Sequence, residues 1–336
     1  MQLHQEVITI DIKIMNPDHT HWVLAYYDLS PITDPHKEVI THKNFIEGRD
    51  ITCRIYISEG GINGQMSGTV HDAKAYMEWM HGRMEFKNVH FKIHGHFENV
   101  FPRKTVKYRK QLVAIDAEYH PSQMGQHVTP KQWKEMLTNM PNRVLLDVRN
   151  EYEWKVGRFV GADLPPCDTF REFAAYADEL KDKQDPKTTP VMMYCTGGIR
   201  CELYSAILKQ KGFDQVYQLN GGIIGYGLEQ GDDHWLGKLF VFDDRLTVPI
   251  AETRHSPVIG ACHHCQTPNE SYYNCANMEC NNLFLCCKSC LTQYQGCCCD
   301  DCRSAPRVRA YHENSPHKPF RRQLKDKKAI SVATQP

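Results

Sequence analysis

The sequence predicts a multidomain protein of α/β and α+β class, in which an α+β unit, a parallel-sheet α/β domain and a cysteine-rich segment follow one another. Three observations predict this order. Strand and helix patterns over 21–100 follow the order βαββαβ. Apolar strands alternate with helices over 119–240, and eleven of the fifteen cysteines fall within 262–302. A chain of 336 residues has room for two or three domains of about 100–200 residues.

Charge and composition limit the function classes. The chain has 40 Lys+Arg and 40 Asp+Glu, but the stretch 303–328 has nine basic and two acidic residues and carries +7, which leaves about −7 on 1–302. A basic tail at 303–336 either binds phosphates by counterion release or is a solvated extension. The start shows no secretory signal pattern, and no apolar run reaches the ~18 residues of a membrane span. We therefore expect a cytoplasmic protein with reduced thiols and no membrane partner.

The first regular domain is expected at 21–100, after an irregular extension at 1–20. HWVLAYYDL, CRIYIS, QMSGTV and VHFKIHGHF have strand patterns, while PHKEVITHKNFIEG and HDAKAYMEWMHGR have helical spacing. The glycines of SEGGING predict a turn, because glycine permits positive φ. This succession is that of the split, ferredoxin-like unit.

A basic segment at 101–118, which begins FPRKTVKYRKQLVAI, is expected to be a linker strand. In extended backbone its charges alternate between two faces around an embedded tyrosine. This pattern suits a nucleic-acid backbone, and a solvated edge strand protected by charge has the same pattern. The predicted nucleic-acid-binding residues are Arg103, Lys104, Lys107, Arg109 and Lys110.

An α/β domain with a central parallel sheet is predicted at 119–240. Thr129 and Pro130 are suited to the N-cap and first turn of the helix in TPKQWKEMLTN. RVLLDVR and PVMMYC are apolar without alternation, as strands covered on both faces are. FREFAAYADELKDK and CELYSAILKQKG have helical patterns, and QVYQLNGGI is a strand that ends in a glycine turn.

The stretch YCTGGIRCE, 194–202, is expected to carry the chemistry. Cys195 directly follows a buried strand and precedes a helix, which is where α/β proteins bind ligands. Glycines allow backbone N–H groups to form an anion nest, and the helix N-terminus and Arg200 add positive charge. These features predict a nucleophilic Cys195 thiolate. The predicted nest residues are Thr196, Gly197, Gly198 and Ile199.

Three other cysteines lie outside the cysteine-rich segment. Cys201 falls in the first turn of the predicted helix, where it is either a resolving thiol for an oxidised Cys195 or a small core residue. Cys53 and Cys167 belong to no motif and are expected in the core.

The segment 255–302 is predicted to bind metal. Three C-x2-C pairs and one C-x4-C pair suit two tetrahedral zinc sites, with an iron–sulfur cluster as the rival. Few apolar residues separate the pairs, so metal would supply folding energy. Sequential and interleaved pairing both remain open, as does the choice among Cys297, Cys298 and Cys299. The predicted ligands are Cys262, Cys265, Cys275, Cys280, Cys287, Cys290, Cys299 and Cys302.

The spacing of the loop resembles one enzyme family. Cysteine phosphatases have C-x5-R, whereas C-x4-R here resembles the rhodanese loop, and LLDVRNEYEWKVGRFVGA resembles the first half of a rhodanese domain. Together with the preceding βαββαβ unit and the following cysteines, the chain from 21 to 302 resembles the bacterial rhodanese-domain family of tRNA uridine hydroxylases. The most specific pieces are CTGGIRCE at 195–202, DVRNEYEWKVGRF at 147–159, FDDR at 242–245 and ING at 62–64.

The resemblance implies oxygen-dependent formation of 5-hydroxyuridine at the tRNA wobble position. It implies molecular oxygen as co-substrate, the tRNA anticodon as partner, and Cys195 as the essential cysteine. No organic cofactor and no facial triad for oxygen-activating iron is evident. We therefore expect Cys195 either to add to C6 of an unstacked uracil or to act as a persulfide. The alternatives are thiosulfate or persulfide sulfurtransfer in a sulfur relay, and a zinc-stapled RNA-binding adaptor. The oligomeric state is not predicted.

Overall fold

The computed structural model describes residues 17–114, 124–251 and 256–312. The chain forms two compact units, 1–112 and 113–336. Most of the predicted extension at 1–20 and of the basic tail at 303–336 lies outside the described residues. None of the helices in the described ranges combines the length and apolar character of a membrane span.

The first unit contains one five-stranded sheet with the order β4-β1-β3-β2-β5. Its first four strands have the 4-1-3-2 order of the ferredoxin-like unit, and all their pairings are antiparallel. Helices α1 and α2 cover one face over a core of alternate strand residues. Cys53 lies in this core, 1% exposed. The elements are β1 His21–Asp28, α1 Pro35–Ile46, β2 Ile51–Ser58, β3 Gly61–Thr69, α2 Val70–His81, a 3-10 turn Met84–Phe86, β4 Lys92–His96 and β5 Lys104–Tyr108.

The basic segment differs from the prediction of a linker strand. Strand β5 pairs in parallel with β2, so that Lys104 lies beside Cys53 and Tyr108 beside Ile57. The segment is therefore the fifth strand of the first sheet. Parallel pairing joins residues about fifty positions apart in the sequence, so no local pattern could have predicted it.

The glycine turn predicted for SEGGING, 58–64, is present but shorter than predicted, because β3 already begins at Gly61 and includes the ING residues 62–64. Glu59 and Gly60 form the turn, and Gly61, the first residue of β3, has a positive φ of +128°. Gly64 is a strand residue that lies against the ring of Tyr26, and a Cβ there would be 2.1 Å from Tyr26 Cζ. Gly64 is thus explained by close packing within the sheet.

The second unit contains a four-stranded sheet with the order β6-β10-β9-β7, and all its pairings are parallel. Helices α5 and α6 pack on one face, over a core that includes Cys167, Cys195 and Cys201. The α/β class and the parallel sheet predicted for this part are confirmed. Its elements are β6 Gln126–Val128, α3 Pro130–Asn139, β7 Val144–Asp147, α4 Glu151–Trp154, β8 Gly157–Phe159, a 3-10 turn Phe170–Glu172, α5 Phe173–Lys183, β9 Val191–Tyr194, α6 Ile199–Gln210, β10 Val216–Leu219 and α7 Gly222–Gln230.

Short strands and helices complete the second unit. β8 and β11 pair, as do β12 and β13, and β14 and β15 form a hairpin within the cysteine-rich segment. Two short helices follow the hairpin. These elements are β11 Trp235–Gly237, β12 Leu239–Phe240, β13 Thr247–Val248, β14 Tyr272–Asn274, β15 Leu283–Leu285, α8 Lys288–Gln293 and α9 Asp300–Arg303.

Candidate active site and metal centres

Cys195 lies at the carboxyl end of the parallel sheet, between the end of β9 and the start of α6. Its side chain is buried, with 1% of the residue exposed. Gly198 has φ +109°, which turns its N–H toward the sulfur, and this N–H donates to Cys195 Sγ at 3.1 Å. The backbone N–H of Arg200 also donates to the sulfur. The loop at 195–200 therefore surrounds the thiol with N–H donors, as an anion nest does.

A second glycine turn holds this loop in place. The N–H groups of Ile223 and Ile224 donate to the carbonyl oxygens of Cys195 and Thr196 at 3.0 and 3.1 Å. Gly222, with φ +63°, lies so close that a Cβ would be 2.6 Å from Cys195 O. The sequence predicts the turn after β10 but not its contact with the Cys195 loop. The paired glycines of NGG were the available signal.

The electrostatics of the loop favour a thiolate. Burial opposes ionisation of Cys195, but a hydrogen bond from Cys201, the charge of Arg200 and the two backbone N–H groups outweigh it, and they lower the pKa of Cys195 from 9.0 to about 5. Burial and the neighbouring Cys195 sulfur raise the pKa of Cys201 well above its usual value. Cys201 is thus a protonated donor to an ionised Cys195 at neutral pH.

Arg200 is held by a carboxylate that the sequence analysis missed. Its Nη1 and Nη2 donate to Glu153 Oε2 and Oε1 at 2.5 and 2.8 Å, and the Glu153 side chain is fully buried. Thr196 Oγ1 also donates to Glu153 Oε1 at 3.1 Å. Burial opposes ionisation of Glu153, but Arg200 outweighs burial and lowers its pKa. Arg200 is therefore an oriented ion-pair partner at the loop, and the loop sequence alone predicts its charge but not this partner.

The motif DVR forms a second buried ion pair beneath the loop. Arg149 Nε and Nη2 donate to the two carboxylate oxygens of Asp147 at 2.8 and 2.6 Å, and both side chains are fully buried. Arg149 Nη2 also donates to Gly157 O at 2.6 Å. The N–H of Val148 donates to Tyr194 O at 3.1 Å. The pair therefore ties the end of β7 to β8 beside the strand that carries Cys195.

The predicted nucleic-acid residues of the first unit divide between two faces of β5. Lys104 points toward the helices, where its Nζ donates to Ile46 O and Arg49 O at 2.7 and 2.6 Å. Lys107 is exposed on the opposite face, beside Tyr56. Arg109 Cζ lies 5.0 Å from the centre of the Tyr56 ring. Arg103, Arg109 and Lys110 are also exposed. Carbonyl oxygens at and just after the end of α1 thus bind the ammonium group of Lys104, whereas the side chains of Lys107 and Arg109 lie on the other face.

Two groups of four cysteines can each hold a metal ion, with all four Sγ atoms within 4.8 Å of one another. The pairs alternate along the chain, so the pairing is interleaved. The second group includes Cys298, and the predicted ligand Cys299 lies outside it. Cys299 is exposed at the N-cap of α9, in extended backbone that directs it away from its neighbour. The groups are Cys262, Cys265, Cys287, Cys290 and Cys275, Cys280, Cys298, Cys302.

The geometry of both groups fits one tetrahedral ion each. Sγ–Sγ distances of 3.7 Å join Cys265 to Cys287, and Cys298 to both Cys280 and Cys302. Four thiolates about 2.3 Å from a central zinc are about 3.8 Å apart. An iron–sulfur cluster would hold its thiolates farther apart, because several iron atoms separate them. The donor set and spacing thus favour a single ion over a cluster.

The described start of the basic tail belongs to this metal-binding segment. The N–H of Arg309 donates to Ala276 O at 2.9 Å, and its Nη1 donates to Cys275 O at 2.9 Å. Val308 forms an isolated bridge with Asn277. Residues 303–312 are therefore packed beside the second cysteine group, and the predictions for 313–336 lie outside the described residues.

The fold and the loop together define a rhodanese-domain protein with a ferredoxin-like unit before it and a cysteine-rich segment after it. Family models match in the same order. The UPF0176 acylphosphatase-like domain matches 21–112, the Rhodanese-like domain matches 129–228, and the Rhodanase C-terminal model matches 236–303.

Relatives over nearly the whole chain identify the family. A tRNA uridine(34) hydroxylase of Protochlamydia amoebophila is 63% identical over 92% of this chain and 96% of its own length. A tRNA uridine(34) hydroxylase of Chlamydia muridarum is 55% identical over 91% of this chain and 93% of its own length. The chain therefore belongs to the tRNA uridine(34) hydroxylase family, and the predicted resemblance is confirmed. A rhodanese-like domain from Anabaena covers 43% of this chain and 98% of its own, at 19% identity and a TM-score of 0.29, and contributes nothing to this assignment.

Proposed function

We propose that this protein hydroxylates the wobble uridine of tRNA at C5, with molecular oxygen as co-substrate and Cys195 as the catalytic thiolate. Family membership supports the reaction and the RNA substrate. The observation that carries the role of Cys195 is its buried sulfur, which accepts from Gly198 and has a pKa lowered to about 5. A thiolate of this kind is ionised at neutral pH and is available as a nucleophile.

The proposed reaction begins with covalent addition. The Cys195 thiolate adds to C6 of the unstacked uracil, and the electrons of the C5–C6 double bond move toward O4. The electron-rich C5 then reacts with oxygen and takes up one proton, which gives a C5 hydroperoxide. A thiol reductant supplies two electrons and two protons, is oxidised to a disulfide, and cleaves the O–O bond to C5–OH and water. Loss of the C5 proton and of the Cys195 thiolate restores the double bond as 5-hydroxyuridine.

The other residues of the loop hold the sulfur and protect its charge. Cys201 donates to the thiolate, and it is also placed to resolve an oxidised Cys195 as a disulfide. Glu153 orients Arg200. The nest residues 196–199 provide the surrounding backbone N–H groups and the turn into α6.

The metal, the RNA contacts and the location complete the proposal. The two cysteine groups would hold structural zinc ions, which tie together a segment with little apolar core. Arg103, Lys107, Arg109 and Lys110 would contact tRNA phosphates. The protein would act in the cytoplasm, where its proposed substrate is.

Nucleoside mass spectrometry tests the proposal. Cells that lack the protein should lose 5-hydroxyuridine derivatives, and wild type should restore them. Cys195→Ala should not restore them, whereas Cys299→Ser should, because Cys299 is an exposed thiol outside the site and both metal groups. Purified protein under 18O-labelled oxygen should place one labelled atom in the nucleoside.

Two results would contradict the proposal. Full hydroxylation by Cys195→Ala would exclude the thiolate mechanism. If the purified protein formed no 5-hydroxyuridine in tRNA but produced a Cys195 persulfide from thiosulfate, sulfurtransfer would replace hydroxylation as its activity.

A further inference from the structure

The two cysteine groups alternate along the chain, so that each encloses part of the other. The first group takes its ligands from 262–265 and 287–290, and the second takes its ligands from 275–280 and 298–302. The second pair of cysteines therefore lies between the two halves of the first group, and the third pair lies between the two halves of the second group. Residues 291–297 join the last ligand of the first group to the third ligand of the second. We call this stretch the connecting turn.

The connecting turn is held by its own backbone hydrogen bonds. The N–H of Tyr294 donates to the carbonyl oxygen of Cys290 at 2.8 Å, and the N–H of Cys297 donates to that of Tyr294 at 2.9 Å. The next residue is Cys298, a ligand of the second group. When the turn is formed, the ligands Cys290 and Cys298 therefore have fixed positions relative to each other.

A histidine of the first group contacts this turn directly. His264 lies between the two cysteines of the first pair, and its ring stacks on that of Tyr294, with a centroid distance of 3.7 Å and an interplanar angle of 6°. Its Nε2 donates to the carbonyl oxygen of Cys297 at 3.2 Å. That carbonyl belongs to the peptide bond that leads into Cys298. The first pair of one group thus holds the backbone that places a ligand of the other.

The second group contacts the same turn from its own first pair. The N–H of Ala276, which follows the ligand Cys275, donates to the carbonyl oxygen of Gly296 at 2.8 Å. Ligands of both groups lie in one buried cluster, and among its buried members in the described ranges only Ala276, Phe284 and Leu291 are not cysteines. So small an apolar core depends on metal for its order, and this core is common to both groups.

These contacts make the two binding events interdependent. Ordering of backbone and side chains costs conformational free energy, which a segment with so small a core does not offset without metal. The ion that binds first must order the connecting turn together with the stack of His264 on Tyr294. The ion that binds second meets a turn that is already ordered, so it binds more tightly.

We propose that the two cysteine groups bind their metal ions cooperatively, and that the contact of His264 with the connecting turn couples them. The inference rests on the proposed function for the presence of an ion in each group. Coupling between two linked sites typically changes affinity by about 5- to 150-fold, and we expect a factor in this range. The form with a single ion is then suppressed, and the hairpin of β14 and β15 becomes ordered in one step.

Two single-group variants measure the coupling. Cys265→Ser removes an exposed ligand of the first group and Cys280→Ser an exposed ligand of the second, so neither leaves a buried gap. Full-length protein, reduced and freed of metal by chelation, is titrated without oxygen with cobalt(II), whose visible absorption in a tetrahedral thiolate site reports the bound ions. The association constant for both ions in wild type is divided by the product of the constants of the two variants. Independent groups give a ratio of about 1, and we expect about 5 to 150.

The contact itself is tested by two neighbouring histidines. His264→Ala removes the ring that stacks on Tyr294 and the donor to Cys297, whereas His263→Ala removes an exposed ring beside it. Both variants retain the ligands of both groups and should bind two ions at saturation. The ratio, measured again with the two serine substitutions in each background, should fall toward 1 in His264→Ala and keep its wild-type value in His263→Ala.

The possible failures are distinguishable. A ratio of 1 in wild type would overturn the inference and leave the proposed metal binding intact. A ratio above 1 that His264→Ala does not lower would overturn the role of this contact. Failure of wild type to bind cobalt(II) or zinc would overturn both the inference and the metal sites of the proposed function, without bearing on the hydroxylation of tRNA.

Discussion

The ionisation of Cys195 gives the sharpest test of the site, because one neighbouring side chain can be removed with little change in volume. Cys201 donates to the Cys195 sulfur, and this hydrogen bond is the largest of the contributions that favour the thiolate. Cys201→Ala removes the donor, and Cys201→Ser provides a hydroxyl donor in its place. Neither replacement side chain is larger in volume than cysteine, so the buried site can accept both.

The magnitude follows from the energy of a charged hydrogen bond. Lowering the pKa of Cys195 from 9.0 to about 5 corresponds to about 5 kcal/mol in favour of the thiolate. One hydrogen bond to a charged group contributes about 1.5–3 kcal/mol, which is equivalent to 1 to 2 in pKa. Cys201→Ala should therefore raise the pKa of Cys195 from about 5 to about 6–7, whereas Cys201→Ser should change it less.

Alkylation by iodoacetamide as a function of pH measures this pKa. Trypsin cleaves after Lys187 and Arg200, so that Cys195 and Cys201 fall on different peptides and are read separately by mass spectrometry. The midpoint for Cys195 should be near pH 5 in wild type and higher in Cys201→Ala. A wild-type midpoint at the value of an ordinary thiol, about 8.5, would refute the electrostatic reasoning. An unchanged midpoint in Cys201→Ala would refute the role of Cys201.

The same shift has a consequence for stability. Because folding lowers the pKa of Cys195, the ionised sulfur stabilises the folded state fully above the unfolded pKa of 9.0. This contribution is lost as the pH falls to about 5. Acidification across this interval should therefore decrease the free energy of unfolding.

Two further predictions concern the glycine turn and the metal groups. Gly222→Ala places a Cβ 2.6 Å from Cys195 O at φ +63°, so it should lower the free energy of unfolding by about 2 kcal/mol or more and abolish activity. Gly197→Ala places its Cβ in open space and should change thermal stability little. Equal melting temperatures of the two variants would contradict this prediction. Cys298→Ser should reduce the zinc content, measured by plasma mass spectrometry, from two to about one per chain, whereas Cys299→Ser should retain two; the reverse result would restore Cys299 as the ligand.

Local patterns in the sequence were sufficient to predict the helices and strands but not every strand pairing. The βαββαβ order follows from residues that alternate or repeat within one element, such as the buried Ile51, Ile55 and Ile57 of β2. The position of β5 depends on its contact with β2, about fifty residues earlier, and no property of the basic segment itself encodes that contact. A charged strand looks the same in a linker and at the edge of a sheet.

The candidate site shows the same division. Cys195 and its glycines form one continuous loop, so the nest could be predicted from neighbouring residues. Glu153 comes from a different helix, and the spacing Asn150-x-x-Glu153 indicates only the capping box that it also forms. Likewise the run of Cys297, Cys298 and Cys299 has three chemically equal donors, and only the local backbone at the start of α9 decides which one faces the group.

The cysteine-rich segment packs directly against a helix of the candidate active site. The hairpin of β14 and β15 leads into both cysteine groups, since Cys275 follows one strand and Cys287 lies just beyond the other. Tyr272, which begins β14 opposite Leu285, donates its Oη to the carbonyl oxygen of Tyr152 in helix α4. Tyr272 also packs in one cluster with Leu285, Val156 and Phe240.

This contact explains how the two cysteine groups can support the candidate active site. Helix α4 carries Glu153 one residue after Tyr152, and Glu153 orients Arg200 beside the reactive sulfur. The segment has few apolar residues of its own, so the order of its hairpin depends on its metal ligands. A hairpin fixed by the proposed metal ions would therefore hold α4 against the domain at the position where the ion pair with Arg200 is formed. The first strand of the cysteine-rich hairpin and the candidate catalytic thiolate are in this way linked through one short helix, and this link is what the proposed structural ions would stabilise.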